Sequence, residues 1–217
     1  MARVAMKFPK FLEPFLDWFF IKVISPISWE TLKYILKGRK FDLTPAQYRE
    51  VLQIWKSMNT ITLTRRKSHL TTYLIQIGHF ILTGKWDMYW AHALFNDGIW
   101  AVEAIGKGVV VNGPREVLNV DGVAILIPKN VHLVSWQMIL DEARRHVIDG
   151  TEYDNLFDVM NDKKVSCIEL IYDSLKEVEN HRELWPNFFK LVETKGNITP
   201  QMIYDCGDFE VVYEVRN

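Results

Sequence analysis

The chain has 217 residues, with hydrophobic types at 48%, charged types at 24% and a formal net charge of −1. That length suits one core-bearing domain with an added subdomain, and the balance of apolar and charged residues excludes a disordered chain. The near-zero charge gives no bulk attraction to nucleic acid, and two cysteines, Cys167 and Cys206, are too few for a disulfide framework.

The first segment is apolar but interrupted. Pro9, Glu13, Pro14, Asp17, Lys22 and Pro26 break it up. Neither a signal peptide nor a membrane span, which needs about 20 apolar residues, is expected. Pro14 and Pro26 bracket a short apolar helix holding Phe15, Trp18, Phe19 and Phe20. Ser28 caps a second helix over 29–37, and Gly38 ends it. The Phe- and Trp-rich stretch reads as core or subunit interface, with membrane-surface or protein contact through residues 11–24 as the alternative. Thr44-Pro45-Ala46-Gln47 forms a capping box before a helix carrying Tyr48, Val51, Leu52 and Trp55.

Thr60 to Thr64 alternates with period two, which predicts a strand. Arg65-Arg66-Lys67 makes a small basic turn, and Leu70, Tyr73, Leu74, Ile77, Phe80 and Ile81 form one helical stripe closed by Gly84. From 88 to 127 the pattern is β. Strands are predicted over 88–95, 99–105, 109–111 and 123–127. They are separated by Asn96-Asp97-Gly98, Gly106-Lys107-Gly108 and Asn112-Gly113-Pro114, which reads as an antiparallel meander. A helix follows over 132–147, then a looser segment with Tyr153, Leu156 and Phe157. Another helix opens at Ser166-Cys167, a short one follows Thr199-Pro200, and a last strand runs from Phe209 to Val215.

Cys167 opens its helix, where unpaired N–H groups and the helix dipole stabilise a thiolate; Lys163 and Lys164 lie just before it. An arbitrary cysteine is more often a small buried hydrophobe. His92 sits among apolar residues in Trp90-Ala91-His92-Ala93-Leu94, and as a base it needs a partner on its other ring nitrogen. Glu103 fits, because the Asn96-Asp97-Gly98 hairpin brings the two strands side by side. Together the three supply nucleophile, base and orienting acid. A zinc site made of the same three residues is the minor alternative. Cys206 and the remaining histidines have no partner pattern.

Several strings carry a resemblance over about 58–180. They are Trp90-Ala91-His92, Val102-Glu103-Ala104-Ile105-Gly106-Lys107-Gly108-Val109, Tyr153-Asp154-Asn155-Leu156-Phe157, and Ser166-Cys167-Ile168-Glu169-Leu170-Ile171. In order and spacing the chain resembles the circularly permuted NlpC-type papain-like hydrolases, the YiiX-like proteins. These are related to the lecithin:retinol acyltransferase-like proteins. The usual Gly-Asp of the opening strand is replaced by Asn59-Thr60, and Ala91 stands where a serine is common. The resemblance implies an α+β papain-like domain over 58–217. Its antiparallel sheet carries the nucleophile helix, and a helical N-terminal extension spans 1–57. It implies Cys167 as nucleophile, His92 as base and Glu103 as third polar residue, with no cofactor and no metal. Tyr153 and Glu169 are weaker substrate-binding candidates, each with a structural reading beside it: core packing for Tyr153 and local bonding on its helix for Glu169. The implied activity is a cysteine amidase or peptidase, acting on cell-wall peptides in cytoplasmic or phage-associated settings. A lipid acyl hydrolase or acyltransferase is the second expectation, and an inactive copy serving as a binding module the third.

Overall fold

The computed structural model describes residues 43–66, 70–154, 164–196 and 198–217. The two helices expected before residue 38, the contact stretch 11–24, and Leu156 and Phe157 lie outside the described residues.

Pro45–Ser57 forms helix α1, opened by the expected capping box: Gln47 N donates to Thr44 Oγ1, and Thr44 N donates to Gln47 Oε1 at 2.8 Å. Thr60–Arg65 is β1, and Leu70–Thr83 is helix α2, ended by Gly84, whose N–H donates to Phe80 O at φ 74°. Three strands follow: β2 (His92–Asn96), β3 (Ala101–Ile105) and β4 (Gly108–Asn112). A single helical turn α3 (Pro114–Val117), strand β5 (Gly122–Pro128) and helix α4 (Leu133–Ile148) come next. The short β6 (Glu152–Tyr153) and β7 (Lys164–Val165) pair in parallel and lead into helix α5 (Cys167–Lys176). The chain then runs through α6 (His181–Leu184), α7 (Pro186–Lys195), α8 (Pro200–Asp205) and β8 (Phe209–Arg216).

The protein is α+β, with a six-stranded antiparallel sheet in the order β4-β3-β2-β1-β5-β8. Alternation sorts the strand residues between two cores. Ile61, Leu63, Ala93, Phe95, Val102, Ala104, Ala124 and Leu126 join the larger one, with Trp136 and Ile139 of α4 and Leu170 and Ile171 of α5. Leu94, Ala101, Val123 and Ile125 join the smaller one, with Val51 and Trp55 of α1. Helix α1 is therefore packed into the sheet. Asn96, fully buried, ties the two together: its Nδ2 donates to Trp55 O at 3.0 Å and to Thr60 Oγ1 at 3.1 Å.

Four details differ from the sequence expectation, each for a local reason. The strand expected over 88–95 begins only at His92. Before it, the Tyr89 and Trp90 N–H groups are taken by Gln201 Oε1, and the Met88 and Tyr89 carbonyls by Arg65, so no ladder forms there. The strand expected from 99 begins at Ala101, because Asp97 Oδ1 accepts from both Ile99 N and Trp100 N and holds the turn open. The turn expected at 112–114 is the start of α3, where Gly113 N donates back to Glu116 Oε2 at 2.8 Å. The meander is only partial, since β5 crosses back to pair with β1 rather than with β4.

Candidate active site

The site is built from a hairpin and a helix start. β2 and β3 are paired next to their turn, Phe95 with Val102 and Asn96 with Ala101. Continuing that register sets Glu103 opposite Leu94, one diagonal step from His92. The two side chains meet: His92 Nε2 and Glu103 Oε2 are 2.7 Å apart. Glu103 is buried, and its other oxygen, Oε1, accepts from Asn112 Nδ2 at 2.6 Å.

Cys167 is brought in by α5, which packs on β2, β3 and α4. It is the first residue of that helix and only 1% exposed. Ser166 is the N-cap, and its hydroxyl accepts from Glu169 N; the Glu169 carboxylate turns back and accepts from Ser166 N. This reciprocal pair fixes the helix start, and with it the direction of the Cys167 side chain. Glu169 is therefore engaged with its own helix, the structural alternative for that residue. Cys167 lies near enough to the His92 ring to raise its pKa, through its side chain and its charge.

The electrostatics follow from these contacts. Burial works to lower the His92 imidazole. The hydrogen bonds with Cys167 and with Glu103, and the negative charges of both, outweigh it and push the group up to about 10. Burial works to raise the Glu103 carboxyl, yet the bond from His92, the His92 charge, the Asn112 amide and the Arg66 charge together hold it below the ordinary range. Glu169 moves the other way: burial first, then the nearby Asp154 charge, push it up to about 8. Tyr153 packs against the larger core. Burial, then the Cys167, Asp154 and Glu169 charges, keep its phenol protonated far above the usual tyrosine range.

The five sequence candidates thus fall into one neighbourhood, with different contacts. His92 and Glu103 are in direct contact, Cys167 acts on the His92 ring, Tyr153 sits within electrostatic reach of the thiol, and Glu169 caps the helix. Sequence reading missed Asn112, Asp154 and Arg66. In the sequence Asn112 reads as a turn residue, although the short Gly106–Gly108 connection, which pairs Ala101 with Asn112, puts it one diagonal from Glu103.

Cys206 is a contrast. Burial first pushes its thiol up to about 12, and Sγ donates to Ile203 O at 3.1 Å. It lines an open cleft with His79, Asp87, Lys190, Met202 and Asp205. That cleft shares no residue with the Cys167 neighbourhood. Its buried histidine is fully engaged, with Nδ1 2.8 Å from Thr199 Oγ1 and Nε2 3.2 Å from Asp87 Oδ1. No group of three or more His, Cys, Asp and Glu side chains is arranged to hold a metal ion among the described residues. Among the same residues, no helix is long and apolar enough to cross a membrane.

No family model, curated protein or solved structure matches the chain. The site rests on its own geometry.

Proposed function

We propose that the protein is a cysteine-dependent hydrolase of amide bonds, built on a permuted papain-like arrangement in which the base strand and acid strand precede the nucleophile helix. The observation that carries this reading is the His92 imidazole 2.7 Å from Glu103, with the Cys167 thiol close enough at a helix start to act on it. A thiol, an imidazole and an orienting carboxylate in sequence is the arrangement that acyl transfer needs.

The steps follow from those groups. His92 takes the Cys167 proton, and the thiolate sulfur attacks the substrate carbonyl carbon. The negative charge on the carbonyl oxygen is met by the Cys167 backbone N–H, one of the donors left unpaired at a helix start. The Tyr153 phenol, kept protonated, is a second donor. His92 then gives its proton to the leaving nitrogen as the C–N bond breaks, which leaves a thioester. Water, deprotonated by His92, attacks the thioester; the acid leaves and Cys167 regains its proton. Glu103 stays ionised throughout and stabilises the imidazolium.

The test pairs chemistry with substrate. Cys167 should react with iodoacetamide, and its rate–pH profile should carry a step near pH 10, where His92 loses its proton. His92→Ala should remove that step and slow the reaction at neutral pH. The same enzyme is then assayed on cell-wall peptides and on acyl esters. Cleavage of peptides that is lost in Cys167→Ala supports the amidase. Cleavage of esters alone moves the assignment to lipid acyl chemistry. A thiol indifferent to His92 would leave a binding module.

A further inference from the structure

Glu103 is held at both oxygens. Oε2 meets His92 and Oε1 accepts from Asn112 Nδ2 at 2.6 Å, the shorter of the two bonds. Asn112 is itself anchored. It ends β4, paired with Ala101 in the ladder, while Glu103 pairs with Val110 on the same two strands. The next residue, Gly113, opens α3 and donates its N–H to Glu116 Oε2 at 2.8 Å, which fixes the joint between strand and helix. The same turn is tied to the other side of the site, since Arg66 Nη2 donates to Glu116 O at 2.8 Å and the Arg66 charge acts on Glu103.

A carboxylate side chain has a freely turning terminal torsion, so one hydrogen bond to an imidazole does not set its plane. A second donor on the other oxygen does. An amide is suited to this role because it donates without carrying a charge that would compete with His92. We propose that Asn112 is a positioning residue: it locks the plane of the Glu103 carboxylate, and through it aims the His92 ring at the Cys167 thiol. The inference rests on the hydrolase reading and adds to its three residues a fourth, set behind them.

The chain of contacts gives the direction of the effect. Without the Asn112 amide, the Glu103 carboxylate loses a donor and binds a proton more readily, so it stabilises the imidazolium less. The groups acting on this pair are Cys167, Arg66 and Asn112, together with Glu103 and His92 on each other.

The experiment uses the full chain and iodoacetamide, with alkylation of Cys167 followed across pH well below the thermal transition of each variant. In Asn112→Ala, the step near pH 10 assigned to His92 should move down by about one unit, and the neutral-pH rate should fall roughly 3- to 10-fold. Asn112→Gln, which keeps a donor on a longer arm, should recover part of both. Val111→Ala, an exposed neighbour on the same strand, should move neither. A loss of thermal stability alone, with step and rate unchanged in Asn112→Ala while His92→Ala still removes the step, would overturn the positioning role and leave the hydrolase reading intact. If the wild type shows no step and no dependence on His92, the hydrolase reading falls and the inference falls with it.

Discussion

Glu169 sits two residues after Cys167 on the same helix, and its burial makes it a pH reporter. Its carboxyl is pushed from an ordinary 4.5 to about 8. Between those values the folded chain keeps a proton that the unfolded chain has released. Stability therefore falls as pH rises from about 4.5 to 8 and levels off above. Glu169→Gln keeps an oxygen to accept from Ser166 N but carries no charge. Thermal unfolding should show little difference at pH 4.5, and a gain at pH 8.5 of on the order of 1–3 kcal/mol over wild type. A variant less stable than wild type at pH 8.5 would mean the carboxylate is ionised and useful there. At this scale the sequence was informative about type and poor about role. Cysteine, histidine and glutamate were all visible as candidates, but a capping glutamate and a substrate-binding one look alike in the chain. Asn112 was hidden because asparagine before glycine reads as a turn.

Helices were legible where their caps are local. Thr44 with Gln47 announces α1 within four residues, and Ser166-Cys167 marks the start of α5, where the structure adds Glu169 as the reciprocal cap. Ser166→Ala should remove the hydroxyl that accepts from Glu169 N and cost about 1 kcal/mol in urea unfolding. It should also slow Cys167 alkylation, because the cap sets the helix start. An unchanged rate at matched folding would separate the cap from the site. Helix α7 went unseen for the opposite reason. Trp185 precedes it and offers no cap; the first-turn N–H of Phe188 is met instead by Asp208 Oδ2 at 2.7 Å, from twenty residues away. Asp208 Oδ1 also accepts from Asn187 Nδ2 at 2.8 Å. No local window contains that partner. Asp208→Ala should destabilise the fold by about 2 kcal/mol in urea, while the alkylation profile of Cys167 stays as in wild type.

At the scale of the molecule, the α+β class and the antiparallel strands were readable from alternation and turn residues. The path of β5 was not. Its sequence says only that it is a buried strand, and pairing with β1 rather than β4 depends on which cores its two faces complete. Asn96 shows how tightly those layers are joined. Besides Trp55 and Thr60 it reaches Met58 O at 3.3 Å, and its Oδ1 accepts from Gly98 N at 2.8 Å. Asn96→Ala would strand these buried groups together, with an expected loss of about 2–3 kcal/mol in urea unfolding. A cost of a few tenths would mean that water replaces the amide.

The placement of His92 and Glu103 on one hairpin also has a bearing on how the protein is made. Synthesis runs from the N-terminus, so the ribosome delivers His92, Glu103 and Asn112 in one contiguous stretch, and Cys167 only after α4 has emerged. Cys167 arrives last, onto a strand pair whose His92 and Glu103 were translated first. A nascent chain paused anywhere before α5 lacks Cys167, and the proposed site is assembled only when that single helix docks.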